Sequence, residues 1–137
     1  MSETATDDDY RRLLAFRTGL RRFLHWSEEQ AAAVGLTSAQ HQLLLAVRGL
    51  DGDPGPTVGE ISEVLLLKHH STVGLVDRTE ALGLVRRGKD AHDGRVVRVT
   101  LTAKGRRVLE QLSARHLAEL EQLAPVLRAL LRDAAPR

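Results

Sequence analysis

KHHSTVGLVDRTEALGLVRRGKDAHDGRVVRVTLT, residues 68–102, changes its period twice. Thr72, Leu75, Val76 and Thr79 recur at helical spacing and form the inner stripe of a short amphipathic helix that ends at Gly83. Residues 84–87 and 96–101 then alternate with period two, as half-buried strands do. Between them lies GKDAHDG, a polar turn suited to a hairpin. The order is helix, strand, turn, strand, with cations on the strands and the turn. A helix-turn-helix with a β-wing has this order, reading one groove of DNA and clamping its neighbour.

Charge supports the same reading. Residues 68–98 hold seven Lys or Arg against four Asp or Glu, with His69, His70 and His92 besides, whereas the whole chain carries only +2. A local excess is the footprint of phosphate binding, although a solvated charged face has the same composition. The 137 residues fit one domain. Tyr10, Phe16, Phe23 and Trp26 are the whole aromatic set, so Leu, Val and Ala must fill the core, which suits packed helices. The absence of Cys excludes disulfides, thiolate metal sites, cysteine nucleophiles and thiol redox sensing, and fits a cytoplasmic protein. No apolar run approaches the roughly 18 residues of a membrane span. The acidic start, with Glu3, Asp7, Asp8 and Asp9, is unlike a signal peptide.

Outward from the core stretch, residues 1–9 read as a disordered acidic tail. Leu13, Phe16, Leu20, Phe23 and Leu24 then place a first helix over 10–34, closed by Gly35. Thr37 with Gln40 is a capping-box pair opening a second helix. GLDGDPGP, residues 49–56, breaks the chain. Thr57 with Glu60 caps a third helix carrying Ile61, Val64 and Leu65, and a turn near Leu67 and Lys68 leads to the fourth. Thr102 caps a long fifth helix bearing Val108, Leu109, Leu112, Leu120 and Leu123. Pro125 is expected to break or kink it, leaving a short last helix with Val126, Leu127, Leu130 and Leu131. The two end helices carry more apolar surface than a small winged core can cover. A C2 homodimer would bury it and present two reading heads about one DNA turn apart, matched to a near-palindromic operator.

Several motifs now stand in order: GLTSAQHQLLLAVRG, TVGEISEVL, HHSTVGLVDR, GLVRR, the D-x-x-D-x-R of Asp90, Asp93 and Arg95, and VTLTAKG. In order and spacing the chain resembles the MarR family of bacterial transcriptional regulators over essentially its whole length. The resemblance implies a mainly α fold with a small β-wing. Residues 36–102 would form the winged helix-turn-helix lobe, and helices over 10–34 and 104–134 the dimer interface. It further implies a repressor, or less often an activator, released from DNA by a small ligand. Two departures stand out. Gly74 sits mid-helix where many relatives carry a polar or basic residue, at a cost of roughly 1 kcal/mol relative to Ala. It either admits a close backbone approach to DNA or removes a base-reading side chain. Thr79 replaces a core Leu, and its buried hydroxyl needs a backbone carbonyl one turn back.

On this reading the fourth helix enters the major groove, with His69, His70, Ser71 and Val73 at base edges and Lys68 on phosphate. Arg95 reaches the minor groove from the wing tip. Asp93 braces the turn or pairs with an Arg. Arg86, Arg87 and Lys89 are phosphate candidates, although Arg86 and Arg87 would equally keep an edge strand soluble. By resemblance Asp77 is structural and Arg78 approaches a phosphate. Ser38 and Gln40 lie at a helix N-terminus where free N–H groups bind phosphate. The family's ligand pocket, between the dimer helices and the reading lobe, places Phe23, Trp26 and His41 as lining, with an aromatic carboxylate as the effector class; each of the three is also an ordinary core residue type. Two other readings stay open: a metal-responsive regulator, for which no clustered ligand spacing speaks, and a winged-helix protein-interaction module that has lost DNA binding. No nucleophile–base motif or phosphate-cradling glycine loop is present, which argues against an enzyme, and no cofactor is implied.

Overall fold

The computed structural model describes residues 4–50 and 54–133. The elements are α1 (Asp7–Ala33), α2 (Ser38–Gly49), α3 (Val58–Leu65), α4 (His69–Ala81), β1 (Val85–Lys89), β2 (Val97–Leu101) and α5 (Ala103–Asp133). Three helices start in the same way. Thr6, Thr37 and Thr57 each accept from the N–H three residues on, while Asp9, Gln40 and Glu60 reach back to the threonine N–H. The first of these boxes corrects the expected tail over residues 7–9, because Asp7, Asp8 and Asp9 form the opening turn of α1, where the helix dipole favours acidic side chains; residues 1–3 lie outside the described residues.

The core belongs to the central lobe. Leu43 and Leu44 of α2, Ile61 of α3, Leu75 and Val76 of α4, Val85 and Val99 of the hairpin and Leu112 of α5 are buried together. The hairpin is antiparallel, pairing Val85 with Leu101 and Lys89 with Val97. A third, single-residue partner joins it. Thr57 bridges to Arg98, and the Val99 N–H donates to the Pro56 carbonyl at 2.9 Å. Gly55 makes this approach possible, since a Cβ there would sit 2.7 Å from the Val99 carbonyl oxygen. Part of the break expected over 49–56 is thus an extended edge. Residues 51–53 lie outside the described residues.

Gly105 has a similar task. A Cβ at Gly105 would lie 2.0 Å from the Leu84 carbonyl oxygen, to which Thr102 N–H also donates at 3.1 Å. Thr102 caps α5 as expected, its hydroxyl accepting from Gly105 N–H at 3.0 Å. The helix does not stop at Pro125 but continues to Asp133. The proline deletes one i→i−4 bond, at the Glu121 carbonyl, and the helix tolerates that loss where Glu121 and Pro125 are exposed. Among the described residues, no helix is long and apolar enough to cross a membrane.

Outside the lobe the end helices are thinly covered. Only Ala31 of α1 is fully buried. Tyr10, Leu13, Leu14 and Leu24 of α1 and Leu117, Leu120, Val126 and Leu131 of α5 face solvent in the single chain.

Candidate nucleic-acid interface

α3 and α4 form the helix-turn-helix. Leu66 closes α3 in the left-handed conformation (φ 56°), and Lys68 begins α4 without a side-chain cap. The Ser62 and Thr72 hydroxyls, 2.8 Å apart, join the two helices. Thr72, Leu75, Val76 and Thr79 make the buried stripe of α4. The Thr79 hydroxyl donates to the Leu75 carbonyl one turn back at 2.7 Å, as the sequence requires. Lys68, His69 and His70 are exposed at the helix start, and Ser71 and Val73 are half-buried.

A crevice of about 360 Å³ separates α3 and α4 from the hairpin. His69, Val73, Arg87 and Arg95 line it together, so four residues nominated from three motifs meet at one place. Val73 is turned toward the hairpin and packs partly on the core, which takes it from the centre of the reading face.

The hairpin is braced by ionic hydrogen bonds. Asp90 accepts from the His92 and Asp93 N–H groups at 3.0 Å each, and its other oxygen accepts from Arg98 Nε at 2.5 Å. Arg98 Nη1 also donates to the Gly55 carbonyl at 2.7 Å, fixing the hairpin to the segment before α3. Arg98 first, then the two amides, hold the Asp90 carboxyl down to about 2. Asp93 braces the tip by accepting from both the backbone and the guanidinium of Arg95, and these bonds lower its pKa. Arg95 itself is 92% exposed in its side chain, its guanidinium paired to Asp93 through Nε and Nη2 yet facing solvent.

Two nominated residues have other duties. Arg87 pairs with Asp77 at 2.5 Å and with Glu80 at 3.1 Å, and its N–H donates to Glu80 at 2.9 Å. It ties α4 to β1 rather than standing free for phosphate, and the bonds from Arg87 depress the Glu80 carboxyl. This pairing gives Asp77 the structural role its position implied. Gln40 is buried, with its side-chain oxygen spent on the Thr37 N–H at 3.0 Å, so the phosphate role expected of it is corrected to a cap. Ser38 lies beside it, accepting from the Gln42 side chain at 3.0 Å. Arg78, Arg86 and Lys89 are exposed.

The three nominated ligand residues do come together, around a residue the sequence reading missed. His116 of α5 lies 4.8 Å from Trp26, 6.1 Å from Phe23 and 4.7 Å from His41, ring centre to ring centre. Its Nδ1 is 2.7 Å from the Leu112 carbonyl and therefore carries the proton, and its Nε2 is 2.7 Å from the Ser27 hydroxyl. Burial, and then the neighbouring His116, push the His41 pKa down. Phe23 and Trp26 also line an open groove of about 770 Å³ between α1 and α5, with Arg11, Arg22 and Leu123. His41 is 6% exposed and is not among the groove's lining residues, so it serves as a core histidine between α2 and α5. Among the described residues no three His, Asp or Glu side chains gather as a metal set would. Periodicity missed His116 because it sits among charged neighbours on α5. It missed Arg98 because an alternating strand gives no sign of a partner eight residues away.

These features define a winged helix-turn-helix. The sequence model of the MarR family matches residues 34–96, from the end of α1 through the hairpin turn. An HTH-type transcriptional regulator of Bacillus subtilis (strain 168), YsmB, is 39% identical over 56 residues, which is 41% of this chain and 38% of that protein. A MarR family protein from Bacillus stearothermophilus is similar in structure, with a TM-score of 0.75 and 26% identity over 96% of both chains. A mutant MarR from E. coli complexed with operator DNA superposes with a TM-score of 0.68 at 23% identity, covering 88% of this chain and 91% of that one. Residues 34–96 thus match the MarR family model, and the chain shares the fold of a MarR family protein over 96% of its length.

Proposed function

We propose that the chain is a sequence-specific DNA-binding regulator, a homodimeric repressor released from a near-palindromic operator by a small, aromatic ligand. The observation that carries this is the shared crevice. The start of α4, with exposed Lys68 and His69, and the braced Arg95 of the wing flank one surface. A helix fits the major groove there while Arg95 extends to the adjacent minor groove. Lys68, Arg86 and Lys89 supply sequence-independent phosphate attraction.

The exposed leucines of α1 and α5 support the dimer, since a single chain leaves them in water. The groove beside Phe23 and Trp26 supports the ligand, offering an apolar wall with Arg11 and Arg22 for a carboxylate. Footprinting on the DNA upstream of the chain's own gene tests the proposal. Two protected half-sites about one helical turn apart are expected. A single site, or uniform protection, would argue against a dimeric operator reader.

A further inference from the structure

Gly74 stands opposite the buried stripe of Thr72, Leu75, Val76 and Thr79, at the middle of the outward face of α4. His70 lies one turn before it and Arg78 one turn after. A helix set into the major groove presents this face to the bases. At its centre there is bare backbone, so no side chain of residue 74 can read anything.

The vacancy has a tenant. A Cβ placed on Gly74 would meet one atom only, the Nη1 of Arg78 at 3.2 Å. The Arg78 side chain therefore runs back along the helix, toward its N-terminus, and lays its guanidinium over the glycine. Among the described residues no ion pair draws it aside. The two carboxylates closest to it in sequence, Asp77 and Glu80, are both committed to Arg87 across the helix–hairpin contact. Arg78 is exposed and has no ion pair among the described residues. A free guanidinium at the centre of a reading face has a natural acceptor pair in the major groove, the O6 and N7 of guanine, which it meets with two parallel N–H donors.

We propose that Arg78 is a base-reading residue, selecting a guanine in each half-site through the space that Gly74 leaves open. This goes beyond a phosphate contact and rests on the DNA-binding function proposed above. The Arg87 clamp serves the same end, because without it Asp77 or Glu80 would compete for the Arg78 guanidinium.

Selection of duplexes from a randomised pool by the full-length protein tests this, followed by titration of the selected site. Wild type is expected to require guanine at one inner position of each half-site. Replacing that guanine by 7-deazaguanine is expected to weaken wild type by roughly tenfold or more. Arg78→Ala should lose the preference at that position alone and be indifferent to the deaza base. Arg78→Lys keeps the charge and should still lose most of the discrimination, because it lacks the planar fork. Gly74→Ala, which helical propensity favours, should fold at least as well yet weaken the same preference by displacing the guanidinium. If Arg78→Ala instead weakens every sequence equally, with Arg78→Lys restoring affinity, Arg78 contacts phosphate and the inference is overturned. If wild type enriches no sequence at all, the DNA-binding function itself falls, and the inference with it.

Discussion

Arg98 of β2 bonds Asp90 across the base of the hairpin, Nε to Oδ1 at 2.5 Å, and with its other arm holds the Gly55 carbonyl at 2.7 Å. One guanidinium thereby fixes the turn that carries Arg95 and docks the hairpin on the segment that begins α3. Arg98 thus ties the wing to the segment before α3, in addition to the backbone contacts of Thr57 and Pro56 with β2. A Lys, with one charged nitrogen, cannot satisfy both acceptors in the same planar geometry.

The carboxyl half of this pair sets a pH signature. Asp90 is held at about 2 against an ordinary 3.8, so its folded value is the lower one. Its contribution to wing order is then complete above the ordinary value and fades as pH falls toward the folded value. Amide exchange or NMR of residues 90–95 should show an ordered turn persisting below pH 3.8 in the wild type. In Arg98→Ala the turn should loosen at higher pH. Identical profiles would show that Arg98 does not hold Asp90.

His41 gives a signature of the opposite origin. Burial lowers its folded pKa below 6.5, so the unfolded chain binds a proton first as the solution is acidified. Between the folded value and 6.5 stability should rise with pH. Thermal unfolding is expected to show a higher Tm at pH 8 than at pH 5.5, and His41→Gln should flatten that dependence. A slope unchanged by the substitution would move the linkage to another group.

Gly105→Ala should be severe. The added methyl has nowhere to go, lying 2.0 Å from a backbone oxygen that cannot step aside without moving β1 or α5. A loss at the large end of single substitutions, about 4 kcal/mol or more, corresponds to a fall in Tm of roughly 10 °C or more. A change within about 2 °C would mean that the close approach relaxes easily.

Arg95→Ala should weaken operator binding at least tenfold, on the order of 1.4 kcal/mol, while sedimentation shows the dimer unchanged. Arg86→Ala, by contrast, should lower affinity for all duplexes about equally and reduce the salt slope by about one. Selective loss at the operator in Arg86→Ala would assign it a shape- or base-reading role.

Much of this architecture can be read from residues acting on near neighbours. Thr37 with Gln40 and Thr57 with Glu60 announce helix starts because a capping box is closed within four residues. The alternation of Val97, Val99 and Leu101 gives the strand for the same reason. The reach of Thr79 to the Leu75 carbonyl follows from burial alone. What stayed hidden depends on partners far along the chain. Arg98 meets Gly55 from 43 residues away, and His116 meets Ser27 from 89. Arg87 looked like a phosphate ligand because Asp77 and Glu80 face it only once the hairpin folds onto α4. The break expected at Pro125 did not occur because a missing N–H need not end a helix where the freed carbonyl can reach water.

The most direct test of the central claim is fluorescence anisotropy of the full-length protein on the duplex upstream of its own gene, against a scrambled duplex, at two salt concentrations. A DNA-reading regulator should prefer the native duplex by about a thousandfold or more and lose affinity steeply as salt rises. Equal and weak binding to both duplexes, with no salt slope, would contradict it and leave the winged lobe as a protein-interaction module.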